Sequence, residues 1–228
     1  MLYLASASPR RRDLLKLAGF RFTVEPAEID EVISQDDPAC LVQNLALKKA
    51  RAVAKLHPDD VVLAADTVVA LDNHILGKPQ DKEQAQKMLR MLSNRVHQVY
   101  TGYCIIKQSR CEIGVSCTSV EFYPLSDEDI ESYIATGEPF DKAGGYGIQS
   151  LGALLVRKID GDFYNVVGLP IAEISRLLRT FGSSKTAAEV LKEHIGIEKW
   201  NSKFEETADA FIDTKMEVLQ SQRYRRGR

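Results

Sequence analysis

The residues best suited to chemistry lie at the start of the chain, where two serines, a proline and three consecutive arginines fall within residues 6–12. An apolar run before Ser6 predicts a short strand, and the apolar spacing after Pro9 predicts a helix. A strand that passes directly into a helix leaves free N–H groups at the helix N-terminus, which favour an anion. Arginines there add bidentate donors for phosphate oxygens. The segment therefore predicts an anion site; the alternative is a capped helix with a solvated basic first turn.

A second candidate is Asp66, which directly follows the apolar run Val61–Ala65. A continuous apolar run is typical of a strand buried on both faces, and ligands of open α/β sheets bind beyond the carboxyl ends of such strands. Asp66 is therefore well placed to bind a metal ion or to activate water. The alternative is a capping or turn residue, which the apolar continuation Val68-Val69 disfavours.

Weaker signals come from two lysines and a glutamate. Lys78 lies between a glycine and a proline on a predicted tight loop, where it could contact a phosphate, although surface lysines are usually only solvated. Lys49, on a predicted helix, and Glu31, in an acidic stretch, indicate nothing alone. These three residues need a wider pattern before a role can be assigned.

Residues 138–149 are unusual because three glycines surround Tyr146 and Gln149 closes the segment. Glycine permits close approach of the backbone to a ligand or to another segment. The Gln149 amide offers both a donor and an acceptor, which could recognise the edge of a base. The alternative is a glycine-rich turn packed on its own sheet, and the residues alone leave both interpretations open.

The elements that must position these residues are predicted to be alternating strands and helices, as in an α/β fold. Asp37-Pro38 predicts the start of a long helix that continues to about Leu56, and Ser126–Asp129 predicts a capping box. Predicted strands cover residues 2–5, 21–26, 61–65, 68–71, 74–76, 96–107, 114–123 and 151–159, and further helices cover residues 9–18, 81–92, 126–137 and 170–181.

Composition and charge limit the class of protein. The chain has 228 residues, of which 44% are hydrophobic and 27% charged, and a formal net charge of −2. These values are ordinary for a globular protein and predict no general attraction to nucleic acid or to a membrane. The four cysteines and four histidines lack metal-ligand spacing, so we expect free thiols and a cytoplasmic protein. An anion site at Ser6 would leave no room for a cleaved leader.

Taken together, these blocks resemble the Maf family of nucleoside triphosphate pyrophosphatases. The resemblance extends in order over about residues 1–182. The matching segments are LASASPRR (Leu4–Arg11), Glu31, Lys49-Ala50, AADTVV (Ala64–Val69), GKP (Gly77–Pro79), HQVYTG (His97–Gly102), TGEPFDKAGGYGIQ (Thr136–Gln149) and NVVGLP (Asn165–Pro170).

The resemblance implies an elongated, mixed, twisted sheet with flanking helices and two lobes around a deep cleft, similar in outline to inosine triphosphate pyrophosphatases. It implies that water cleaves a nucleoside triphosphate between the α and β phosphates, and that a divalent cation such as Mg, Mn or Co is required. Homodimers occur in the family, so a homodimer is an expectation for this chain too.

The resemblance also implies a role for each matching residue. Asp66 would accept the proton of the attacking water. The triphosphate would be held by Ser6, Arg11, Lys49 and Lys78. Glu31 would help to hold the metal or the attacking water, Asp66 would also be a metal ligand, and base selection would involve Arg10, Thr67 and Gln149.

Two blocks distinguish subgroups of the family. This chain has ADT at the Asp66 block and DKAGGYGIQ at the glycine-rich block, which is similar to members acting on dTTP and UTP. Modified uridine triphosphates such as pseudo-UTP would be related substrates. Members that prefer 7-methyl-GTP have SDQ and CAGS instead. The alternative function is a nucleotide-binding regulator of cell division or septum formation with little turnover.

The character of the sequence changes after Gly182. The following residues are polar, then helix-prone and charged, and the chain ends in an arginine-rich stretch, 223–228. We therefore predict a Maf-like domain over residues 1–182 and a helix-prone extension over residues 183–228. The basic end has two interpretations, a solvated terminus or a docking element for nucleic acid or protein.

Overall fold

The structure is a computed structural model and describes residues 1–29, 37–72 and 74–182. Strands and helices alternate along these residues, as predicted. The strands are β1 (Leu2–Leu4), β2 (Thr23–Val24), β3 (Val61–Leu71), β4 (His74–Leu76), β5 (Val96–Lys107), β6 (Arg110–Phe122) and β7 (Val156–Asp160). The helices are α1 (Pro9–Leu17), α2 (Pro38–Ala54), α3 (Lys82–Leu92), α4 (Asp127–Ala135), α5 (Phe163–Val167) and α6 (Ile171–Thr180).

These strands form one mixed sheet in the order β2-β1-β3-β5-β6-β7, with β4 paired to β3. β1 is parallel to both β2 and β3, because α1 and α2 carry the chain back over the sheet before the next strand begins. From β3 onward the pairing is antiparallel. The predicted mixed α/β sheet with flanking helices is confirmed.

The central strand β3 is buried on both faces because helices cover both sides of the sheet. On one face, Val62 and Val68 pack beneath α2. On the other face, Leu63 belongs to a cluster with α1 and α6, and Val69 belongs to a second cluster with α3 and α4. The apolar core on this face is therefore divided in two along β3.

Several predicted boundaries and caps are confirmed. Asp37 caps α2 by accepting a hydrogen bond from the backbone N–H of Cys40. Ser126 and Asp129 form the predicted capping box of α4, and Gly137 follows that helix with φ 77°. The β3–β4 hairpin is also present. All four cysteines are free thiols.

Other predictions are corrected. The predicted strand 151–159 begins only at Val156, because Leu151–Leu155 forms a 3₁₀ turn in which Leu151 and Leu154 face solvent. An apolar run alone does not separate these two conformations. The strands predicted over 61–65 and 68–71 are one continuous strand, β2 has only two residues, and α5 was not predicted.

Candidate active site

Two polar residues, Asp66 and Thr67, interrupt the apolar sequence of β3. They lie between Ala65, which belongs to one apolar cluster, and Val69, which belongs to another. Asp66 projects toward α2 and Thr67 toward the opposite face, because consecutive residues of a strand alternate sides. Asp66 is buried and Thr67 is partly buried. A carboxylate and a hydroxyl in the middle of a buried strand carry a desolvation penalty unless they are hydrogen-bonded, so their partners define the site.

Asp66 is paired with a cation from α2. Lys49 lies near the middle of the helix, and its Nζ donates to Asp66 Oδ1 at 2.5 Å. Only 9% of the Lys49 side chain and 13% of the Asp66 side chain are exposed. The pairing requires α2 to lie close against the sheet, and Gly102 on β5 permits this, since a Cβ there would be 2.3 Å from the Val42 carbonyl carbon.

Thr67 is hydrogen-bonded to a buried arginine from α1. Arg11 Nη2 donates to Thr67 Oγ1 at 2.9 Å, Nη1 donates to Ser6 Oγ at 3.0 Å, and Nε donates to the carbonyl oxygen of Gly168 at 2.8 Å. Three oxygens from separate segments thus fix the plane of the guanidinium. The predicted anion segment is brought directly to β3.

Arg10 takes a different direction from its neighbour. Its Nη1 donates to Asp141 Oδ2 at 2.9 Å, which links α1 to the glycine-rich segment. Lys142 Nζ donates to the other oxygen of the same carboxylate at 2.6 Å. Burial acts to raise the pKa of Asp141, but the hydrogen bonds from Lys142 and Arg10 outweigh it and lower that pKa below its usual range.

Lys78 and Gln149 lie on two loops that contact each other. The backbone N–H of Gly144 donates to the Gly77 carbonyl at 3.0 Å, and Pro79 lies against Gly145. Both side chains are exposed. In the part of the chain that the structure describes, neither is hydrogen-bonded to Asp66, Thr67 or the two arginines, so their predicted roles stay predictions.

Glu31 lies outside the described residues, so its predicted place beside the metal stays a prediction. Across residues 1–29, 37–72 and 74–182, the structure contains no group of three histidine, cysteine or carboxylate side chains suited to a metal ion. Asp66 is the predicted metal ligand that the structure does describe. In the same ranges, no helix has the length and apolar character needed to cross a bilayer.

A buried histidine supports the glycine-rich segment and had no assigned role from the sequence. His97 on β5 is fully buried, and its Nε2 lies 2.7 Å from the Tyr146 hydroxyl. Burial lowers the pKa of His97 to about 4 and raises that of Tyr146 above its usual range. His97 is therefore neutral near pH 7. A histidine near the start of a predicted strand was the available signal in the sequence.

Three further buried polar residues were also missed. Thr101 on β5, Thr118 on β6 and Asn165 in α5 are fully buried and hydrogen-bonded to one another or to Thr67. Asn165 Nδ2 also donates to the Val99 carbonyl at 2.9 Å. Threonine is a common strand residue, so only its position beside Thr67 reveals a connection to the site.

Comparison with known proteins identifies the relatives. A family profile described as "Maf-like protein" matches residues 1–181. A dTTP/UTP pyrophosphatase of Bacillus pumilus is 50% identical over 182 residues, which cover 79% of this chain and 96% of the relative. One of Moorella thermoacetica is 51% identical over 184 residues, covering 79% and 95%.

A solved structure of a Mycobacterium abscessus nucleoside-triphosphatase (dITP/XTP pyrophosphatase) is also similar, with 15% identity and a TM-score of 0.39 over 54% of this chain and 75% of that chain. This low score adds nothing to the assignment, which rests on the profile and on the relatives at half identity. The chain belongs to the family of Maf-like proteins.

Proposed function

We propose that this chain is a nucleoside triphosphate pyrophosphatase that hydrolyses dTTP and UTP, and related modified uridine triphosphates such as pseudo-UTP, to a nucleoside monophosphate and pyrophosphate. The observation that carries the proposal is the arrangement on β3, where the Lys49–Asp66 pair and the Arg11–Thr67 contact lie on adjacent residues. Relatives of about half identity carry the name dTTP/UTP pyrophosphatase, which does not favour a regulator without turnover.

In the proposed reaction, a water oxygen attacks the α phosphorus and the bond from that phosphorus to the α–β bridging oxygen breaks. Asp66 accepts the proton of the water, and pyrophosphate leaves with the bridging oxygen. Lys49 holds one carboxylate oxygen of Asp66 and thereby orients the other.

The triphosphate carries about four negative charges, and phosphoryl transfer depends chiefly on positioning and charge neutralisation. We assign this task to Ser6, Arg11, Lys49 and Lys78. Arg11 and Ser6 already lie together beside β3. Lys78 is exposed on a loop that contacts the glycine-rich segment, and would reach the substrate from that side.

A divalent cation such as Mg, Mn or Co would neutralise further phosphate charge when bound. The donor set fits such an ion, since Mg²⁺ is commonly held by one or two carboxylates together with substrate phosphates. Asp66 supplies one carboxylate, and we assign Glu31 as the second. Base selection is assigned to Arg10, Thr67 and Gln149, of which Thr67 is in contact with the phosphate-binding Arg11.

We also propose that the enzyme acts in the cytoplasm, where nucleoside triphosphates are made and consumed, and that it forms a homodimer. Size-exclusion chromatography with light scattering tests the homodimer directly. A monomer at micromolar concentration would contradict it without affecting the proposed reaction.

Pyrophosphate release with Mg²⁺ across dTTP, UTP, pseudo-UTP, CTP, ATP and 7-methyl-GTP tests the proposal. We expect turnover of the thymine and uracil substrates and a loss of about 100-fold or more in Asp66→Asn, because proton transfer to a positioned base contributes about that much. Asp160→Asn, the same change at an exposed site on β7, should retain activity.

Thermal unfolding and calorimetric UTP binding show whether Asp66→Asn still folds and binds, because the variant leaves the buried Lys49 beside a neutral amide. Full activity in a folded Asp66→Asn protein would exclude the assigned role of Asp66. Turnover confined to purine triphosphates would contradict the assigned substrates.

A further inference from the structure

A chain of hydrogen bonds connects the arginine of the site to a backbone carbonyl of α5. Arg11 Nη2 donates to Thr67 Oγ1 at 2.9 Å, and Thr67 Oγ1 lies 2.9 Å from Thr101 Oγ1. Thr101 Oγ1 donates to the carbonyl oxygen of Asn165 at 3.0 Å. Thr67 and Thr101 are direct partners in the β3–β5 register, so the pairing of the two strands places the hydroxyls together.

The Arg11 guanidinium and the Asn165 carbonyl, at the two ends of this series of hydrogen bonds, determine which atom donates in each bond. A backbone carbonyl can only accept, so the single hydroxyl proton of Thr101 is directed to Asn165. Thr101 therefore cannot donate to Thr67, and the hydroxyl proton of Thr67 must be directed to Thr101. The guanidinium of Arg11 has no acceptor, so it donates to Thr67.

The Asn165 carbonyl, which orients this series of hydrogen bonds, belongs to a residue that is itself held by hydrogen bonds. Asn165 is fully buried, and its Nδ2 donates to the Val99 carbonyl and to Thr118 Oγ1, each at 2.9 Å. Its carbonyl also accepts the backbone N–H of Gly168 at 3.0 Å. A change at Thr101 would therefore leave that carbonyl with a hydrogen-bond partner, and the rest of the arrangement would remain.

A threonine hydroxyl has one proton and two lone pairs. In Thr67 the proton is committed to Thr101 and one lone pair to Arg11, so a single lone pair remains. Thr67 is partly exposed at the break between the two apolar clusters, next to Asp66. The only interaction it can offer to a substrate is that of a hydrogen-bond acceptor.

We propose that Thr101, oriented by the Asn165 carbonyl, is a positioning residue that makes Thr67 an acceptor, so that Thr67 binds a hydrogen-bond donor of the substrate and not a phosphate oxygen. This inference rests on the proposed function, in which the substrate is UTP or dTTP. Ionised phosphates carry no donor. The donors that such a substrate offers are the imino N3–H of the base and the hydroxyls of the sugar.

Substrate analogues that lack one donor test this on the wild-type protein. We would measure kcat/KM for UTP, N3-methyl-UTP, 2′-deoxy-UTP and 3′-deoxy-UTP. One of the three analogues should be cleaved about tenfold or more slowly than UTP, since a lost hydrogen bond of about 1.4 kcal/mol is a factor of ten. The analogue affected identifies the donor as the base imino group or a sugar hydroxyl.

Variants of Thr101 test the positioning. In Thr101→Val the Thr67 hydroxyl loses its acceptor, so it can rotate and donate to the substrate. The ratio of kcat/KM for UTP to kcat/KM for the affected analogue should therefore fall about threefold or more. The bulk of an N3-methyl group is the same in both proteins and does not produce this narrowing. Thr101→Ser restores the hydroxyl and should restore the discrimination.

Thr118→Val is the matched control. Thr118 is equally buried and hydrogen-bonded to Asn165, but it is not hydrogen-bonded to Thr67, so this variant should lose stability without a change in discrimination. Because the comparison is a ratio of two substrates, a general loss of folded protein does not alter it.

The outcomes separate this inference from the proposed function. If neither UTP nor dTTP is cleaved, the proposed function fails, and calorimetric binding of UTP and the same analogues to the wild-type protein then decides the inference. If UTP is cleaved but all three analogues behave like UTP, Thr67 binds no substrate donor and the inference is wrong. Unchanged discrimination in Thr101→Val would likewise overturn the role of Thr101.

Discussion

At the scale of single residues, the site depends on two neighbours in one strand that face opposite ways. Asp66 meets Lys49 from α2, and Thr67 meets Arg11 from α1. Successive side chains of a strand point to opposite faces of the sheet. Asp66 and Thr67 therefore each bind one cationic side chain, on opposite faces. A one-residue shift in register would place both on the wrong faces, so both contacts depend on the register of β3.

His97 gives a prediction at this scale, because its pKa falls from 6.5 to about 4 on burial. The folded protein favours neutral His97, so this contribution to the free energy of unfolding is complete above about pH 6.5. It is lost as the pH falls from 6.5 toward 4, since the unfolded chain binds the proton first. The loss amounts to about 3 kcal/mol.

Urea denaturation of wild type and His97→Gln at pH 7.5 and pH 4.5 measures this effect. The difference between the two proteins should shrink at the lower pH, because only the wild type loses the histidine contribution. Tyr146→Phe keeps His97 buried and should retain the wild-type pH dependence. An identical pH dependence in wild type and His97→Gln would show that His97 does not titrate as proposed.

At the scale of elements, the site requires that α2 approach the sheet closely. Lys49 reaches Asp66 because Gly102, opposite Asp66 in the register of β5, has no side chain to hold the helix away. The glycine thus links the packing of one helix to the position of one lysine. The family resemblance included Gly102 in the HQVYTG segment, but its contact with α2 is visible only in the folded protein.

Gly102→Ala should therefore damage both stability and activity. Its Cβ would lie 2.3 Å from the Val42 carbonyl carbon and 2.5 Å from the Gln43 nitrogen, and backbone atoms cannot move aside as a flexible side chain can. We expect a loss of about 3 kcal/mol or more in the free energy of unfolding, measured by urea denaturation, together with reduced turnover of UTP.

Gly137→Ala is the comparison for this prediction. Gly137 has a φ of 77° but nothing lies within 4 Å of its added Cβ, so only the backbone conformation opposes the change, at about 1–2 kcal/mol. If the two alanine variants were equally stable, the close approach of α2 would not be the reason for glycine at position 102.

At the scale of the whole molecule, the site joins segments that are far apart in the chain. Within the described residues, Arg11 donates hydrogen bonds to oxygens of residues 5, 56 and 157 positions away. Folding thus brings Arg11 and Lys49 from separate segments to β3 while the formal net charge of the chain stays at −2. The charge that matters for a phosphate substrate is the local one created by folding.

Truncation after Gly182 tests the predicted division into a domain of residues 1–182 and an extension. The truncated chain keeps Leu178 and Phe181, which are buried in the core, and the family profile ends at residue 181. We expect unchanged turnover of UTP, measured by pyrophosphate release, and a melting temperature within a few degrees of that of the full chain. A truncated chain that fails to fold would instead make residues 183–228 part of the domain.

The sequence alone determined the features that depend on short-range chemistry. The cap of α2, the capping box of α4, the buried apolar run Val61–Ala65 and the start of α1 at Pro9 follow from residue type and local spacing. The motifs shared with the Maf family predicted which residues belong to the site, but motifs carry no distances.

Only the tertiary structure decided which groups meet. It paired Lys49 with Asp66, tied Arg10 to Asp141, and placed Thr101 between Thr67 and a carbonyl of α5. It also replaced part of a predicted strand by the turn Leu151–Leu155. The physical reason is that strand register and helix packing bring together residues that are distant in sequence. The direction in which a buried hydroxyl donates its hydrogen bond likewise depends on all of its neighbours.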